Sequence, residues 1–521
     1  MEPLPEGLVA ALAALPFRHV QTHISHVFLG EERVYKLRKA VTLAFLDFGT
    51  RRQRNADALA EVALNRRLAP DVYLGLAPVE QTAGGWRFGA LGETARDGAE
   101  HAVVMRRLPD GRDALALLAA GALGPAHVHA AAERIAAFHA AHGLGMPAPF
   151  SPAEWLERID RPMRDNLAVL HPPAGALAEA WARALARLAP RLEARRAAGR
   201  AVDGHGDLHL AHLWFEAGPE TPLFVDCVEF SANLRHIDAA SDVAFLFMDL
   251  VYRGAPAVGE RWLAAYAEAS GDHELYEVVD LYAAYRAAVR AKVAALAAAD
   301  AELDGAQRRA AAESASRHQA LALRLLVPRT PGALVLVGGS VGVGKSTVAA
   351  ALAEAGGCLL LSSDRTRKAL AGLRPEARAG AAPDAGLYAP DWGERTYAAL
   401  LAHAAPALRS GRTVVLDATW SRQSRRSVAR ALAARLGAPA WLVRVDCAEA
   451  TARERVEARA RRGDDPSDAG PELVAASRAR FELATEWPAE ARLEFRTDEP
   501  AWRDRVAILA ERLTRRQPLG T

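Results

Sequence analysis

Lysine is almost missing from this chain. Of its 65 Lys and Arg residues only five are Lys, namely Lys36, Lys39, Lys292, Lys345 and Lys368. Arg carries nearly every generic positive charge, so the surviving lysines are candidates for sites that need a compact ammonium on a flexible stem. Asn is equally scarce, with four in 521 residues. The three cysteines, Cys227, Cys358 and Cys447, are scattered and odd in number. That argues against a disulfide framework or a cysteine metal site and fits a reducing cytoplasm. No apolar run approaches the roughly 18 residues that span a bilayer, so no membrane partner is expected. The opening "MEPLPEGLVAALAALPF" has no basic n-region and reads as a first helix rather than a signal peptide. A large charge of one sign is missing too. The net charge is +2, and no concentrated basic stripe marks a dedicated nucleic-acid binder.

What is present describes a folded globular protein: 51% hydrophobic residues and 25% charged ones. The length exceeds one ordinary core and suggests roughly two to four domains. From Ala333 onward the chain holds 29 Lys and Arg against 23 Asp and Glu, a bias that suits anionic phosphate ligands as well as a solvated Arg-rich surface. Residues 20–110 alternate short apolar runs with turns, as in "HVFLG", "RVYKLRK" and "HAVVMRRL", and predict a mainly antiparallel sheet. A helix interrupts it over roughly 50–68. Long Ala/Leu/Arg helices follow to about 325, with a two-strand insert around "LWFEAGPETPLFVDCVEF". The stretch "LVPRTPG", residues 326–332, breaks the helical pattern and predicts a linker between domains at 1–325 and 333–521. Beyond it, "ALVLVGG", "CLLLSS", "TVVLDAT" and "AWLVRVD" alternate with helices. Apolar strands without polar alternation predict a parallel sheet buried on both faces.

The most specific motif is Gly339-Ser340-Val341-Gly342-Val343-Gly344-Lys345-Ser346, followed by Thr347. It fits G-x-x-x-x-G-K-[ST], follows a predicted strand and opens a predicted helix, which is the context of a phosphate-binding loop. There the backbone N–H groups close around ATP phosphates, Lys345 reaches the β- and γ-phosphates, and the Ser346 hydroxyl is placed for magnesium. Asp417, at the end of "VVLD", is placed to hold the same ion. Asp364, read as closing the strand "LLLSSD", faces the crevice beyond the strand ends. Its spacing to Arg367 resembles the acceptor site of polynucleotide-kinase-like and gluconate-kinase-like P-loop phosphotransferases. That resemblance implies that Asp364 handles the acceptor hydroxyl while Arg367 grips an anionic group. "RERVEARARR" resembles the lid of those kinases, which implies phosphoryl contacts for Arg459 and Arg462, although a solvated helix face reads similarly.

A second constellation lies in the first 325 residues. Lys36 follows an apolar strand, as an ATP lysine would, and Glu61 lies 25 residues on, in the predicted helix, as its ion-pair partner. Asp207 in "HGDLHLAH" stands where a catalytic loop keeps its Asp, and Asp226 in "LFVDCVEF" where the metal-binding acid belongs. "HGDLHLAH…FVDCVEF…RHIDAASDVAFLFMDL" resembles the aminoglycoside-phosphotransferase-like superfamily. With "THISHVFLGEERVYKLRK" and "AFLDFGTRRQR", nearly the whole chain resembles a bacterial two-domain family that fuses such a domain to a P-loop (AAA-type) kinase. The resemblance implies Lys36, Glu61, Asp207 and Asp226 in ATP and magnesium roles, with Asp242 bracing the loop. It breaks at His212, which stands where the pattern has Asn, and in the lack of a G-x-G-x-x-G over the phosphates. Imidazole is a poor magnesium ligand, which predicts a weak or absent second metal site. Asn233, just beyond "CVEF", is a candidate substitute.

The expectation is therefore an α+β kinase-like N-terminal domain, with a β-rich small lobe and a helical lobe, followed by an α/β P-loop NTPase domain. The predicted activity is ATP- and Mg2+-dependent transfer of a phosphoryl group by the C-terminal domain. Its acceptor is a hydroxylated small molecule, with a nucleic-acid end as second choice. The alternative makes the N-terminal domain a non-catalytic module that senses a ligand and regulates the P-loop domain. An acidic pocket for polycationic antibiotics has no counterpart in the helical lobe, so the family name does not name the substrate.

Overall fold

The computed structural model describes residues 1–43, 46–170, 174–301, 303–373, 386–462, 470 and 472–514. They form two units. The first takes in Met1–Ser270 and Val279–Leu326, and the second takes in Gly271–Val278 and Val327–Thr521. The short segment Gly271–Val278 thus counts with the second unit, a division that the linear reading at residues 326–332 does not contain. No helix among the described residues is long and apolar enough to cross a membrane.

The first unit opens with a six-stranded antiparallel sheet. Its strands are β1 (Arg18–Gln21), β2 (Ser25–Leu29), β3 (Arg33–Arg38), β4 (Tyr73–Thr82), β5 (Gly85–Phe88) and β6 (His101–Arg106). They lie in the order β1-β2-β3-β6-β4-β5. The period-two alternation of side chains sorts this sheet into two faces. Leu37 of β3 and its cross-strand partner Ala102 join Leu8, Leu12, Phe28 and Val79 in one cluster. Val103, the partner of Lys36, packs with Ala58, Val62, Tyr73 and Leu76 in another. Ala58 and Val62 belong to helix α1 (Arg51–Asn65), whose N-terminus is closed by a Thr50–Gln53 capping box. Lys36 and Arg38, two residues apart, share that helix-facing side.

The rest of the unit is mainly helical, with a β-hairpin inserted, β7 (Leu213–Phe215) paired with β8 (Pro222–Phe224). Helix α2 (Ala239–Tyr252) runs through the core, with every residue from Ala239 to Leu250 buried. Such an all-round apolar helix needs partners on every side. Its buried acids, Asp242 and Asp249, are the exceptions that reach the functional loop.

The second unit is a five-stranded, all-parallel sheet. Its strands are β9 (Leu334–Gly338), β10 (Leu359–Ser362), β11 (Val414–Asp417), β12 (Ala440–Asp446) and β13 (Arg492–Arg496), in the order β10-β11-β9-β12-β13. β9 and β11 are buried along their whole length, as strands covered on both faces must be. The order places β9, and the loop that leaves it, between β11 and β12. Ligands collect at the carboxyl ends of such strands, where the direction of winding changes.

One buried charge cluster joins β3, α1 and the segment after β8. The Arg38 guanidinium, 1% exposed, donates to Asp57 Oδ2 at 2.5 Å, to Glu61 Oε2 at 2.6 Å and to Glu229. Removing one partner from such a buried set leaves uncompensated charge, at a cost of about 3–5 kcal/mol. Arg38→Met is expected to destabilise the first unit by about that amount in urea unfolding. Arg38→Lys is expected to recover less than half, because an ammonium cannot span three carboxylates with a fixed fork.

Candidate active sites

In the second unit the loop after β9 approaches neighbouring backbone so closely that side chains are excluded. Gly339 and Gly342 have φ of +154° and +79°. A Cβ on Gly339 would stand 2.3 Å from the Val445 carbonyl oxygen, and one on Gly342 would stand 2.5 Å from that of Ala452. Gly344, at φ +90°, caps helix α3 (Lys345–Gly356). The loop is held from outside. Ser477 Oγ accepts from Val341 N at 3.1 Å, Thr497 Oγ1 donates to the Val343 carbonyl at 2.7 Å, and Arg455 donates to Thr497 Oγ1 at 2.7 Å. Val343 is fully buried, while the Ser346 and Thr347 side chains are exposed at the start of α3. An open hydroxyl above a row of helix N–H groups suits phosphate and magnesium.

Lys345 arches back over this loop, and its Nζ donates to the Ser340 carbonyl at 2.7 Å. Burial lowers its pKa, against the pull of Asp417 and Asp364 and with the push of Arg459. Asp417, Asp364 and Arg459 thus all act on Lys345. Register explains why. Asp417 pairs with Val337 on one side and Ser362 on the other, so it ends β11 beside both functional loops. Asp364 does not close a strand as the sequence pattern suggested. β10 ends at Ser362, and Asp364 lies in the first turn of helix α4 (Ser363–Leu370), where its charge also favours the helix N-terminus. Arg367, one turn on, donates to Asp364 Oδ1 at 2.7 Å. Arg459 lies in helix α5 (Glu449–Arg462), and the side chain of Arg462 falls outside the described residues. Sequence reading missed Trp420. It is fully buried at φ +48°, a strained conformation for a large residue, and its Cβ would sit 3.0 Å from one added to Gly338.

In the first unit Lys36, Glu61 and Asp226 come together. Lys36 Nζ is 2.9 Å from Glu61 Oε1 and 2.6 Å from Asp226 Oδ1. Asp226 adopts φ +61°, the only other positive φ outside glycine among the described residues. Its N–H donates to the Tyr73 hydroxyl at 2.9 Å. Burial would raise the Asp226 pKa, yet Lys36 and His212 hold it well below the usual carboxylate range.

Asp207 lies in a loop braced from beneath. Asp242 accepts from His205 N at 2.6 Å and Gly206 N at 2.9 Å, and Arg286 donates to the Gly206 carbonyl at 2.7 Å. His205 Nε2 bonds the Val225 carbonyl at 3.0 Å, tying the loop to the segment of Asp226. His212 stands between the two acids, with Nδ1 3.5 Å from Asp207 Oδ2 and Nε2 3.4 Å from Asp226 Oδ2. Asn233 does not take its place, because its Oδ1 accepts from Arg158 at 3.0 Å. Arg38, Glu229 and His209 were not picked out from the sequence. The available signal for Arg38 was its position two residues after Lys36 on one strand.

Two measurements follow from this geometry. Burial pushes the Glu229 carboxyl up to about 8, against Arg38. A carboxyl raised in the fold contributes stability that is complete below its unfolded pKa and is lost as pH rises through the folded value. Urea unfolding of the first unit is therefore expected to weaken from about pH 4.5 to above pH 8, with a flatter profile in Glu229→Gln. In the second unit, Gly342→Ala is expected to cost more than about 1 kcal/mol and to abolish nucleotide binding, read by calorimetry and by ATP titration.

The AAA domain family model matches residues 334–484, which contain the loop, Asp364, Asp417 and Arg459. The second unit is an α/β P-loop NTPase domain with a parallel sheet, and the first is an α+β unit with an antiparallel sheet. Among solved structures, a gluconokinase from Sinorhizobium meliloti 1021 is 22% identical, with a TM-score of 0.25 over 36% of this chain and 99% of its own. A choline/ethanolamine kinase family protein from Mesorhizobium loti is 16% identical, with a TM-score of 0.36 over 61% of this chain and 97% of its own. The uncharacterized protein Rv2004c of Mycobacterium tuberculosis is 33% identical over 475 residues, which cover 89% of this chain and 90% of the relative. The same figures hold for the uncharacterized protein Mb2027c of Mycobacterium bovis. With that identity over nearly the full length of both, the chain belongs to the same family as these mycobacterial proteins.

Proposed function

We propose that residues 333–521, within the second unit, form an ATP-dependent kinase acting in the cytoplasm on a hydroxyl group. The observation that carries this reading is a loop of phosphate-binding geometry over which Lys345 arches, within the electrostatic reach of Asp417, Asp364 and Arg459. A loop that only bound nucleotide would not need a second carboxylate, held by its own Arg, beside the lysine.

In this reading residues 339–347 wrap the phosphates with backbone N–H groups, and Lys345 exchanges the Ser340 carbonyl for the β- and γ-phosphate oxygens. The donor set of Ser346 and Asp417 is all oxygen and fits magnesium, which would supply charge neutralisation between the phosphates. Asp364 takes the proton of the acceptor hydroxyl as its oxygen attacks the γ-phosphorus, and ADP departs with the bond electrons. Arg367 orients Asp364 and meets an anionic part of the acceptor. Arg459 and Arg462, on the α5 helix, neutralise the phosphoryl group in transit. The acceptor is a hydroxylated small molecule, with a nucleic-acid end as the second choice.

For the first unit the position of His212 between Asp207 and Asp226 favours a nucleotide-binding module without turnover over a second kinase. Lys36 and Glu61 would hold the nucleotide side of the cleft, and Asp226 the metal side.

The test is the full-length protein with ATP, magnesium and a metabolite library, read by mass spectrometry as the gain of one phosphoryl group. Lys345→Met is expected to lower turnover on the order of 100-fold or more. Asp364→Asn is expected to lower kcat similarly while ATP affinity stays within about threefold, since it removes a group that acts on the acceptor. Unchanged turnover in Lys345→Met would remove the assignment.

A further inference from the structure

The turn that follows Asp417 is strained, and the strain is held from several sides. Trp420, at φ +48°, is fully buried. Its indole Nε1 donates to the Leu416 carbonyl at 3.1 Å, and its own carbonyl accepts from Arg426 at 2.9 Å. Tyr397 lies edge-on to the indole, with ring centroids 4.9 Å apart. One residue earlier, the Thr419 carbonyl accepts from Gly339 N, at the start of the phosphate loop, at 3.0 Å. A large residue keeps such a conformation only where its surroundings over-determine it, and such places cluster at functional sites.

The hydrogen bonds of this turn also fix a direction. The Trp420 N–H donates to the Tyr397 hydroxyl oxygen at 3.3 Å, and that oxygen lies 2.9 Å from Thr419 Oγ1. An amide N–H can only donate, so the phenol oxygen is the acceptor there. Tyr397 is 5% exposed, and among the described residues Thr419 Oγ1 is the one acceptor that its proton reaches. Were Thr419 the donor instead, a buried phenol proton would be left unpaired, which is costly. Tyr397 therefore donates and Thr419 Oγ1 accepts. The Thr419 proton is then uncommitted among the described residues, and Thr419 is only partly buried. The phenol itself is well fixed. It stands on the helix Pro390–Arg409, which packs against α4, and the Arg425 guanidinium lies over its ring, 4.2 Å from the centroid.

We propose that the Thr419 hydroxyl donates a hydrogen bond to the terminal phosphoryl group of ATP, with Tyr397 as the residue that positions it. The inference rests on the reading of residues 333–521 as an ATP-dependent kinase and adds the group that tells a triphosphate from a diphosphate. Thr419 stands two residues after Asp417, the carboxylate placed for magnesium, and its carbonyl is tied to the first glycine of the phosphate loop. Its strand, β11, lies between β9, which feeds that loop, and β10, which leads into Asp364. The phosphoryl group in transfer has to lie between the loop and the acceptor, so a donor on this turn faces it. A hydrogen bond from a neutral hydroxyl to an anionic oxygen is one of the stronger kinds. ADP offers no oxygen at that place.

The experiment is calorimetric titration of the full-length protein, in the presence of Mg2+, with AMP-PNP and separately with ADP. The binding that Lys345→Met removes is taken as that of the second unit. Thr419→Val is expected to weaken AMP-PNP binding about tenfold or more while ADP affinity stays within about twofold. Thr419→Ser keeps the donor and is expected to leave both affinities as they are. Tyr397→Phe frees the Thr419 hydroxyl to turn, and is expected to weaken AMP-PNP about three- to tenfold with ADP again little changed. A turn with only a structural role would weaken both nucleotides together. Should Tyr397→Phe loosen the fold, read as a lower melting temperature, the Val and Ser variants at Thr419 decide by themselves. An unchanged ratio of AMP-PNP to ADP affinity in Thr419→Val, or the same loss in Thr419→Ser, overturns the proposal and leaves the reading of the P-loop intact. Nucleotide binding that Lys345→Met does not diminish would remove that reading and this proposal with it.

Discussion

Arg38 is buried with three carboxylates on one guanidinium, and the geometry of the first unit depends on that arrangement. Glu61 comes from helix α1, Asp57 from one turn earlier on the same helix, and Glu229 from the segment that follows Asp226. A planar fork with fixed donor directions can satisfy three partners only if all three are placed at once. The helix, the strand and the Asp226 segment are therefore located by one group. Glu61 uses its other oxygen on Lys36, and Lys36 in turn holds Asp226. Positions that look like a series of separate ion pairs in the sequence are a connected network in the fold.

The network is also unbalanced. Lys36 and Arg38 face Asp57, Glu61, Asp226 and Glu229, so acids outnumber bases. Burial of the acids raises Asp57 and Glu229, the two farthest from Lys36, whereas Asp226 beside it stays ionised. Negative charge thus stays on Asp226, whose side chain is 44% exposed.

The second unit reaches its site by a different physical route. No buried ion network is required, because parallel register brings the ends of β9, β10 and β11 side by side. Asp417 then needs only to be the last residue of its strand. The glycines do the rest by allowing the loop to pass within contact of the Val445 and Ala452 carbonyls. This is why the P-loop is legible in sequence to the residue. Its chemistry is local, and its spacing survives any change in the rest of the fold.

The sequence by itself determined the two kinds of sheet and the phosphate loop. Each follows from a short-range pattern: alternation of period two, apolar runs covered on both faces, or a strand-to-helix turn rich in glycine. Tertiary structure alone decided the rest. Arg38 reads as one more Arg among many until folding removes it from water and gives it three partners. Asp364 reads as a strand-end acid until β10 stops at Ser362 and the chain turns into a helix. His212 reads as the residue at which a catalytic loop has lost its Asn. Only folding sets His212 between Asp207 and Asp226, because that placement depends on distances across the intervening hairpin. Such distances are set by packing, and no local pattern records them.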